Sequence, residues 1–481
     1  MKSKIILTLG TYAIGSAISA ENKPNLLIIH TDEQSFRTLS CYQQNMSEDQ
    51  AFVWGKGMNS TTPNIDKIAR EGAICMNYYA AAPVSTPSRA ALVSGRYPHA
   101  TGAWKNGLAL RQDIPTFATE LRKAGYATSY IGKWHLSEEH DIYEYNIKYN
   151  GGFDDNTYMT PGGHAPYLRI KDGKIIDRGI NQNQIKKVPM EERVHYTDFY
   201  TEKTIERIER DKDKPFCIMV SIPDPHTPDY ATGKYHTMYD HLRPTQPVTM
   251  SDELLAKRPS WAGGEKKNDV REFDPEKLKQ YFGMIKHIDD AVGRMLATLE
   301  KNGLKENTIV IFTSDHGDMF FEHNRMNKGN PYEASARVPF VIRYPKGIPS
   351  GKVITSNYVN VNFAPTILSL MGIKSEASFQ GVDTANDFTS KDKTITKPRF
   401  THYAAVGGYW ACALEGQYKL VLDKKEIPWL IDLKADPNEL TNFASDPKYK
   451  KIVNKMSKEL LERLKKVDAP IQTFNTQGLF L

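Results

Sequence analysis

Apolar runs of strand length recur along this chain, and helix-period segments separate them. Leu26–His30, Ala127–Ile131, Phe216–Ile222 and Thr308–Thr313 read as buried strands. Between them, Thr62–Arg70 reads as a helix, with Thr62 at the cap, Pro63 in the first turn and Gly72 beyond the end. Pro115–Lys123 reads as a helix closed by Gly125. Leu278–Leu299 carries Phe282, Ile285, Ile288, Val292, Leu296 and Leu299 at helical spacing. Strands alternating with helices predict an α/β sheet with helices on both faces.

The pattern changes after about residue 385. Short strand candidates follow closely at Phe400–Tyr403, Trp410–Leu414, Tyr418–Val421 and Trp429–Leu433, then one charged helix at Tyr449–Lys465. This predicts a small α+β unit with an antiparallel sheet. The expected division is a leader at 1–20, a catalytic α/β unit at 21–385 and a C-terminal α+β unit at 386–481.

The leader is expected because Lys2 and Lys4 precede an apolar run, Ile5–Ile18, that ends in the small residues Ser19 and Ala20. That is the layout of a secretory signal peptide, and it predicts export. Removing the two lysines lowers the formal charge from +6 to +4, too little to point to a nucleic-acid partner. Past the leader, no apolar stretch is long enough for a spanning helix. Cys41, Cys75, Cys217 and Cys412 have no zinc spacing, and Cys217 sits in an apolar run as a buried thiol would.

Three segments carry candidate chemistry. Asp32 and Glu33 follow a buried strand, where ligands bind in open α/β sheets. Their oxygens suit Ca2+ or Mg2+, and they equally suit a loop that caps a helix. Asp315 and His316 end a second buried strand, with Gly317 behind them to permit a close backbone approach. In Ser85-Thr86-Pro87-Ser88-Arg89, Ser85 stands at a helix N-terminus, suited to an anion or to ordinary capping, with Arg89 one turn on.

The run Ser85-x-Pro-Ser-Arg-x4-Ser94-Gly95-Arg96 resembles the signature of the type I sulfatases, in the alkaline phosphatase superfamily. Family-like segments follow in order: Gly132-Lys133-Trp134-His135, Pro225-His226-Thr227-Pro228, Ser314-Asp315-His316-Gly317, Lys328, and Asp436-Pro437-x-Glu439. The resemblance implies a large, mixed, mostly parallel sheet sandwiched by helices. It implies that Ser85 is oxidised to formylglycine by an anaerobic-type formylglycine-generating maturase, and that its hydrate attacks sulfur. One Ca2+ per chain would be held by Asp32, Glu33, Ser85, Asp315 and His316, with Glu33 replacing the usual second Asp.

By the same resemblance, Arg89 braces the nucleophile and Lys133 and His135 flank it. Being two apart, these two would share one face of an extended segment. Lys328 grips the sulfate. His226 protonates the leaving oxygen, a task for imidazole because it titrates near neutral pH. Arg96 and Arg337 are expected to be structural. The implied substrate is a sulfated saccharide met in the periplasm, with Asn106 and His164 as candidate substrate-binding residues. The polar stretch 151–194 suits either sugar binding or a surface insertion. A phosphoesterase or phosphonate hydrolase on the same fold, and an inactive glycan-binding homologue, are the competing readings.

Overall fold

Seven consecutive buried residues, Asn25–Thr31, form the first strand, β1. A strand covered on both faces calls for parallel neighbours and helices on either side. The computed structural model has that arrangement; it describes residues 23–138, 141–145, 147–263, 269–470 and 474–476. The expected leader, Met1–Ala20, lies outside the described residues.

The chain continues through β2 (Ala73–Tyr79), β3 (Ala127–Lys133), β4 (Asp155–Thr160), β5 (Tyr167–Lys171), β6 (Lys174–Ile180), β7 (Arg193–His195) and β8 (Phe216–Ile222). Then come β9 (Thr308–Ser314), β10 (Phe340–Arg343), β11 (Lys352–Val359) and β12 (Thr394–Ile395). Nine of these make one sheet, in the order β12-β11-β2-β10-β9-β1-β8-β3-β4. All its pairings are parallel except those of β10, which runs antiparallel to β2 and β9.

Alternation along β1 feeds two cores. Leu27 and Ile29 pack with Val310 and Phe312 against helices Tyr196–Asp211 and Pro275–Lys301. Leu26 and Ile28 pack with Ile309 and Ile311 against helices Phe117–Lys123 and Phe363–Leu370. The fold is thus mixed α/β, a large mostly parallel sheet flanked by helices.

One local expectation is corrected, and one reading left open is narrowed. Thr62 makes no capping bond to the helix Pro63–Arg70. The buried carboxylate of Asp289, on the long helix Pro275–Lys301, accepts from the backbone N–H groups of Asn64 and Ile65, each at 2.9 Å. Residues 151–194 are not one solvated insertion. Asp155–Thr160 joins the main sheet as edge strand β4, and β5, β6 and β7 form a separate three-stranded sheet.

The C-terminal sheet is antiparallel in the order β13 (Thr401–Ala404), β14 (Trp410–Glu415), β15 (Tyr418–Asp423), β16 (Trp429–Asp432). Helix Lys450–Lys466 covers one face through Val453, Met456 and Leu460. The other face packs Trp410, Cys412 and Val421 with Tyr79 and Tyr332 of the larger unit. The four cysteines are buried free thiols. Among the described residues, no helix is long and apolar enough to cross a membrane.

A buried charge cluster ties the two sheets. Lys419 of β15 is wholly buried and meets Glu333 at 2.6 Å, Glu439 at 2.7 Å and the carbonyl of Pro331 at 2.9 Å. Removing one partner of a buried ion pair strands the other charges. Lys419→Ala is therefore expected to lower the unfolding free energy by about 3–5 kcal/mol, measured by chemical denaturation. A loss below about 1 kcal/mol, the size of a surface pair, would show that the cluster does not hold the units together.

Candidate active site

Strands β1, β3, β8 and β9 run parallel, so their C-terminal ends share one edge of the sheet. Asp32 and Glu33 follow β1, Asp315 and His316 follow β9, Lys133 ends β3, and His226 lies four residues past β8. Ser85 opens the helix Ser85–Ser94. Gly317 is required where it stands. A Cβ there would lie 2.0 Å from the Ala334 carbonyl oxygen, and its own N–H donates to the Ser335 carbonyl at 2.9 Å.

Ser85 does not cap its own helix. Its hydroxyl lies 2.9 Å from Nε2 of His316. The Nδ1–H of His316 donates to the Gly317 carbonyl at 3.0 Å, which leaves the Nε2 lone pair facing Ser85. Asp32 Oδ1 and Asp315 Oδ1 stand 3.7 and 3.5 Å from that same nitrogen. All three side chains are buried, and Asp32 Oδ1 has no hydrogen-bond partner. Two buried carboxylates, a correctly oriented imidazole and an orphaned oxygen fit a hard divalent cation.

Cations hold these acids ionised. Burial pushes the Asp32 carboxyl up, but Lys133, His226 and Arg89 outweigh it and hold it well below the usual range. Lys133 forms a short ion pair with Asp32. Arg89 donates to Asp315 at 2.8 Å, to the Lys133 carbonyl at 2.8 Å and to Ser221 at 2.7 Å. Glu33 stands beside the triad rather than in it. Its Oε2 lies 2.9 Å from both Lys328 and His226, and its Oε1 is unpartnered.

Lys328 also meets His226 Nε2 at 2.9 Å. His164 stacks on His226, with ring centroids 3.6 Å apart, and accepts from Lys133 at 2.6 Å. Burial and then Lys133 lower the His164 pKa to about 3, so its imidazole is neutral. The side chains of His164, His226 and Lys328 are 28%, 14% and 16% exposed, whereas Asp32 and Lys133 are at zero. The three therefore mark the mouth of the site.

The structure adds local detail at three of the predicted residues. Asn106 turns its Oδ1 to the Thr86 N–H, at 3.0 Å, and so caps the helix that carries Ser85. Lys133 and His135 do not lie on one extended segment, because β3 ends at Lys133 and His135 has φ +61°. His135 is half-buried, and Lys133 and Arg89 add to desolvation in lowering its pKa. Arg337 lies over the Phe36 ring at 4.2 Å and pairs with Glu333, a bracing role.

Several contributors have little or no signature in the sequence. Ser221 has a faint one, a polar residue inside an apolar strand. Asn360 has no local signal, yet it donates to the Ser88 carbonyl at 3.0 Å and accepts from Ala81 N–H at 3.0 Å. Behind His226, the group His195, Asp224 and His287 is clustered closely enough to ligate. However, His195 Nδ1 accepts from the Thr197 N–H, so Nε2 carries the proton toward Asp224. With its lone pair used by the Thr197 N–H and its Nε2 3.9 Å from Asp224, beyond hydrogen-bonding reach, His195 offers this group no free ligand atom.

Comparison with known proteins matches this geometry. A sequence model of the Sulfatase family matches residues 24–373, and one described as N-sulphoglucosamine sulphohydrolase, C-terminal, matches residues 321–466. The chain is 26% identical to the N-acetylglucosamine-6-O-sulfatase of Bacteroides thetaiotaomicron, over 96% of this chain and 90% of that protein. It is 30% identical to the arylsulfatase of Clostridium perfringens, over 92% and 94%. A solved structure in complex with its substrate D-glucosamine-2-N,6-O-disulfate is 25% identical, with a TM-score of 0.71 over 93% of this chain and 98% of that one. The family match encloses every residue of this charged cluster, and on that ground the chain belongs to the Sulfatase family and is a sulfuric ester hydrolase.

Proposed function

We propose that this enzyme removes O-sulfate from saccharides in the periplasm, with Ser85 matured to formylglycine by an anaerobic-type maturase and one Ca2+ bound per chain. One observation carries the reading. Ser85 Oγ meets His316 inside a buried cluster to which Arg89, Lys133 and Lys328 bring three cations. The saccharide is supported by the glucosamine chemistry named for the relatives. The leader-like N-terminus accords with export. Residues 21–385 would form the catalytic unit and 386–481 the C-terminal one.

Asp32, Asp315, His316 and the residue 85 oxygen, with Glu33 alongside, would hold the Ca2+, which supplies positive charge to the sulfuryl oxygens. Matured residue 85 supplies, as its hydrate, one hydroxyl to attack and a second through which the ester is shed. The other groups position and balance charge. Arg89, one turn into the nucleophile's helix, locks Asp32 and Asp315 together. Lys133, deep in the site, and Lys328, at its mouth, set positive charge on either side of the transferring group, whose charge gathers on its outer oxygens. The His226 Nδ1–H donates to the Thr227 carbonyl at 2.8 Å, so Nε2, beside Glu33 and Lys328, is the nitrogen left to hand a proton to the leaving sugar oxygen, a second ring proton that it would first take up there.

Four outcomes are expected. The residue 85 peptide of natively produced enzyme should be lighter than serine by two hydrogens, and Ser85→Ala should lose turnover while keeping its thermal midpoint. An unmodified serine in active native enzyme would overturn the nucleophile assignment. Asp315→Asn should lose bound Ca2+ by elemental analysis, and chelated wild type should regain activity on Ca2+ addition; full activity without metal would remove Ca2+ from the scheme.

A panel of sulfated mono- and disaccharides, with nitrophenyl sulfate alongside, tests substrate class and leaving-group chemistry together. Sulfate release from at least one saccharide is expected. His226→Ala should slow that reaction by about 10²–10⁴-fold. It should slow nitrophenyl sulfate far less, because that leaving group needs little protonation. Equal losses on both would refute the acid role.

A further inference from the structure

The positive charge of this protein is concentrated in one element. Helix Lys450–Lys466 carries seven Lys and Arg against Glu459 and Glu462, a net charge of +5. The whole chain past Ala20 carries +4, so everything there outside this helix sums to −1. Val453, Met456, Leu460 and Leu464 bury one side of the helix against the C-terminal sheet. Lys451, Lys455, Lys458 and Lys465 are exposed and recur at intervals of four, three and seven residues. They therefore form one stripe on the opposite side, about 21 Å long. Glu462 interrupts the stripe and Lys466 borders it. Lys455 meets Glu415 at 2.5 Å, whereas Lys451, Lys458, Lys465 and Lys466 have no carboxylate partner among the described residues.

This pattern works against the helix that carries it. The first turn holds no acid, Tyr449 makes no side-chain cap, and Lys450 and Lys451 stand at the positive end of the dipole. Lys451, Lys455 and Lys458 are like charges one turn apart, which repel one another. Propensity does not call for lysine at these positions, because Glu forms helix equally well. An anion laid along the stripe would relieve both conflicts.

Geometry narrows the anion to a linear polymer, since the stripe is far longer than one small ion. A membrane is disfavoured because the apolar side of the helix is already buried and leaves nothing to insert. A single-stranded nucleic acid would want exposed aromatic rings for its bases, and the described residues of the helix hold none. The stripe also runs toward the catalytic unit. The carbonyl of Val467, directly after the helix, accepts from His99 Nε2–H at 2.7 Å and from Gln380 at 3.3 Å. The Gln380 N–H in turn donates to the carbonyl of Gly95, which ends the helix that Ser85 opens.

We infer that the lysine stripe of helix Lys450–Lys466 is a docking surface for a sulfated polysaccharide, the polymer that supplies this enzyme's substrate. The inference rests on the saccharide reading above. It assigns capture of the polymer to Lys451, Lys458 and Lys465, none of which belongs to the catalytic cluster.

Dextran sulfate serves as the binding probe, with uncharged dextran, phosphatidylglycerol vesicles and duplex DNA beside it. The substrates are the sulfated monosaccharide that the panel identifies, the polysaccharide that carries it, and nitrophenyl sulfate. Wild type should bind dextran sulfate, more weakly as salt rises, and should not bind dextran. The triple variant Lys451→Gln, Lys458→Gln, Lys465→Gln should bind dextran sulfate about a hundredfold more weakly, near fivefold for each lysine. It should lose about fivefold or more in kcat/KM on the polysaccharide and keep its rates on the two small substrates. Equal binding of dextran sulfate by wild type and variant, or an equal loss on all three substrates, would overturn the docking surface while leaving the saccharide reading intact. Tighter binding to the vesicles or to DNA than to dextran sulfate would overturn the choice of partner. Hydrolysis of nitrophenyl sulfate with no saccharide turned over would instead overturn the reading itself, and the polysaccharide with it.

Discussion

Three carboxylates, Asp32, Glu33 and Asp315, are buried within one small volume, and the rest of the site follows from keeping them charged. Removing an ion from water costs several kcal/mol even after the protein relaxes, and only well-placed partners offset it. Arg89 serves Asp315 and Asp32, Lys133 serves Asp32, and Lys328 serves Glu33. Each cation comes from a different segment. Their convergence requires the parallel strands to end on a common edge, which ties the charge balance of the site to the topology of the sheet.

That dependence explains the bracing around it. Gly317 lets the loop after β9 press against the Ala334 carbonyl, and Asn360 pins Ser88 within the helix that Ser85 opens. Asn106 caps the same helix from outside. The C-terminal sheet contributes at one remove. Lys419 reaches Glu333 and the Pro331 carbonyl, and so steadies the loop that descends from Lys328. A rigid frame of this kind is what electrostatic stabilisation needs, because dipoles and charges already in place need no reorganisation during reaction.

Much of the fold is legible in the sequence because the relevant signals are local. Apolar runs locate β1, β8 and β9 to within a residue at each end. Helical spacing locates the long helix, although it begins earlier than that spacing implies, at Pro275, because Asp274 caps it there. The acids of the site carry a local signal too, a charged residue directly after a buried strand, but that signal left ligation and helix capping both open. The features that mislead involve distant partners. Thr62 resembles a cap, but Asp289, more than two hundred residues away, performs that task. Residues 151–194 resemble an insertion because edge strands are half exposed and carry a weak apolar pattern.

By itself, then, the sequence determined which residues carry charge, which runs bury themselves, and the order in which the reactive segments occur. Periodicity and residue chemistry are properties of short stretches, so they survive without knowledge of the fold. Only the tertiary structure decided how those residues are used. It turned the Ser85 hydroxyl to His316 instead of its own helix, set the His316 tautomer through Gly317, and broke the shared face of Lys133 and His135 at a left-handed residue. It also set Asn106 to capping. Those outcomes depend on which surfaces meet, and a local pattern holds no record of its partner.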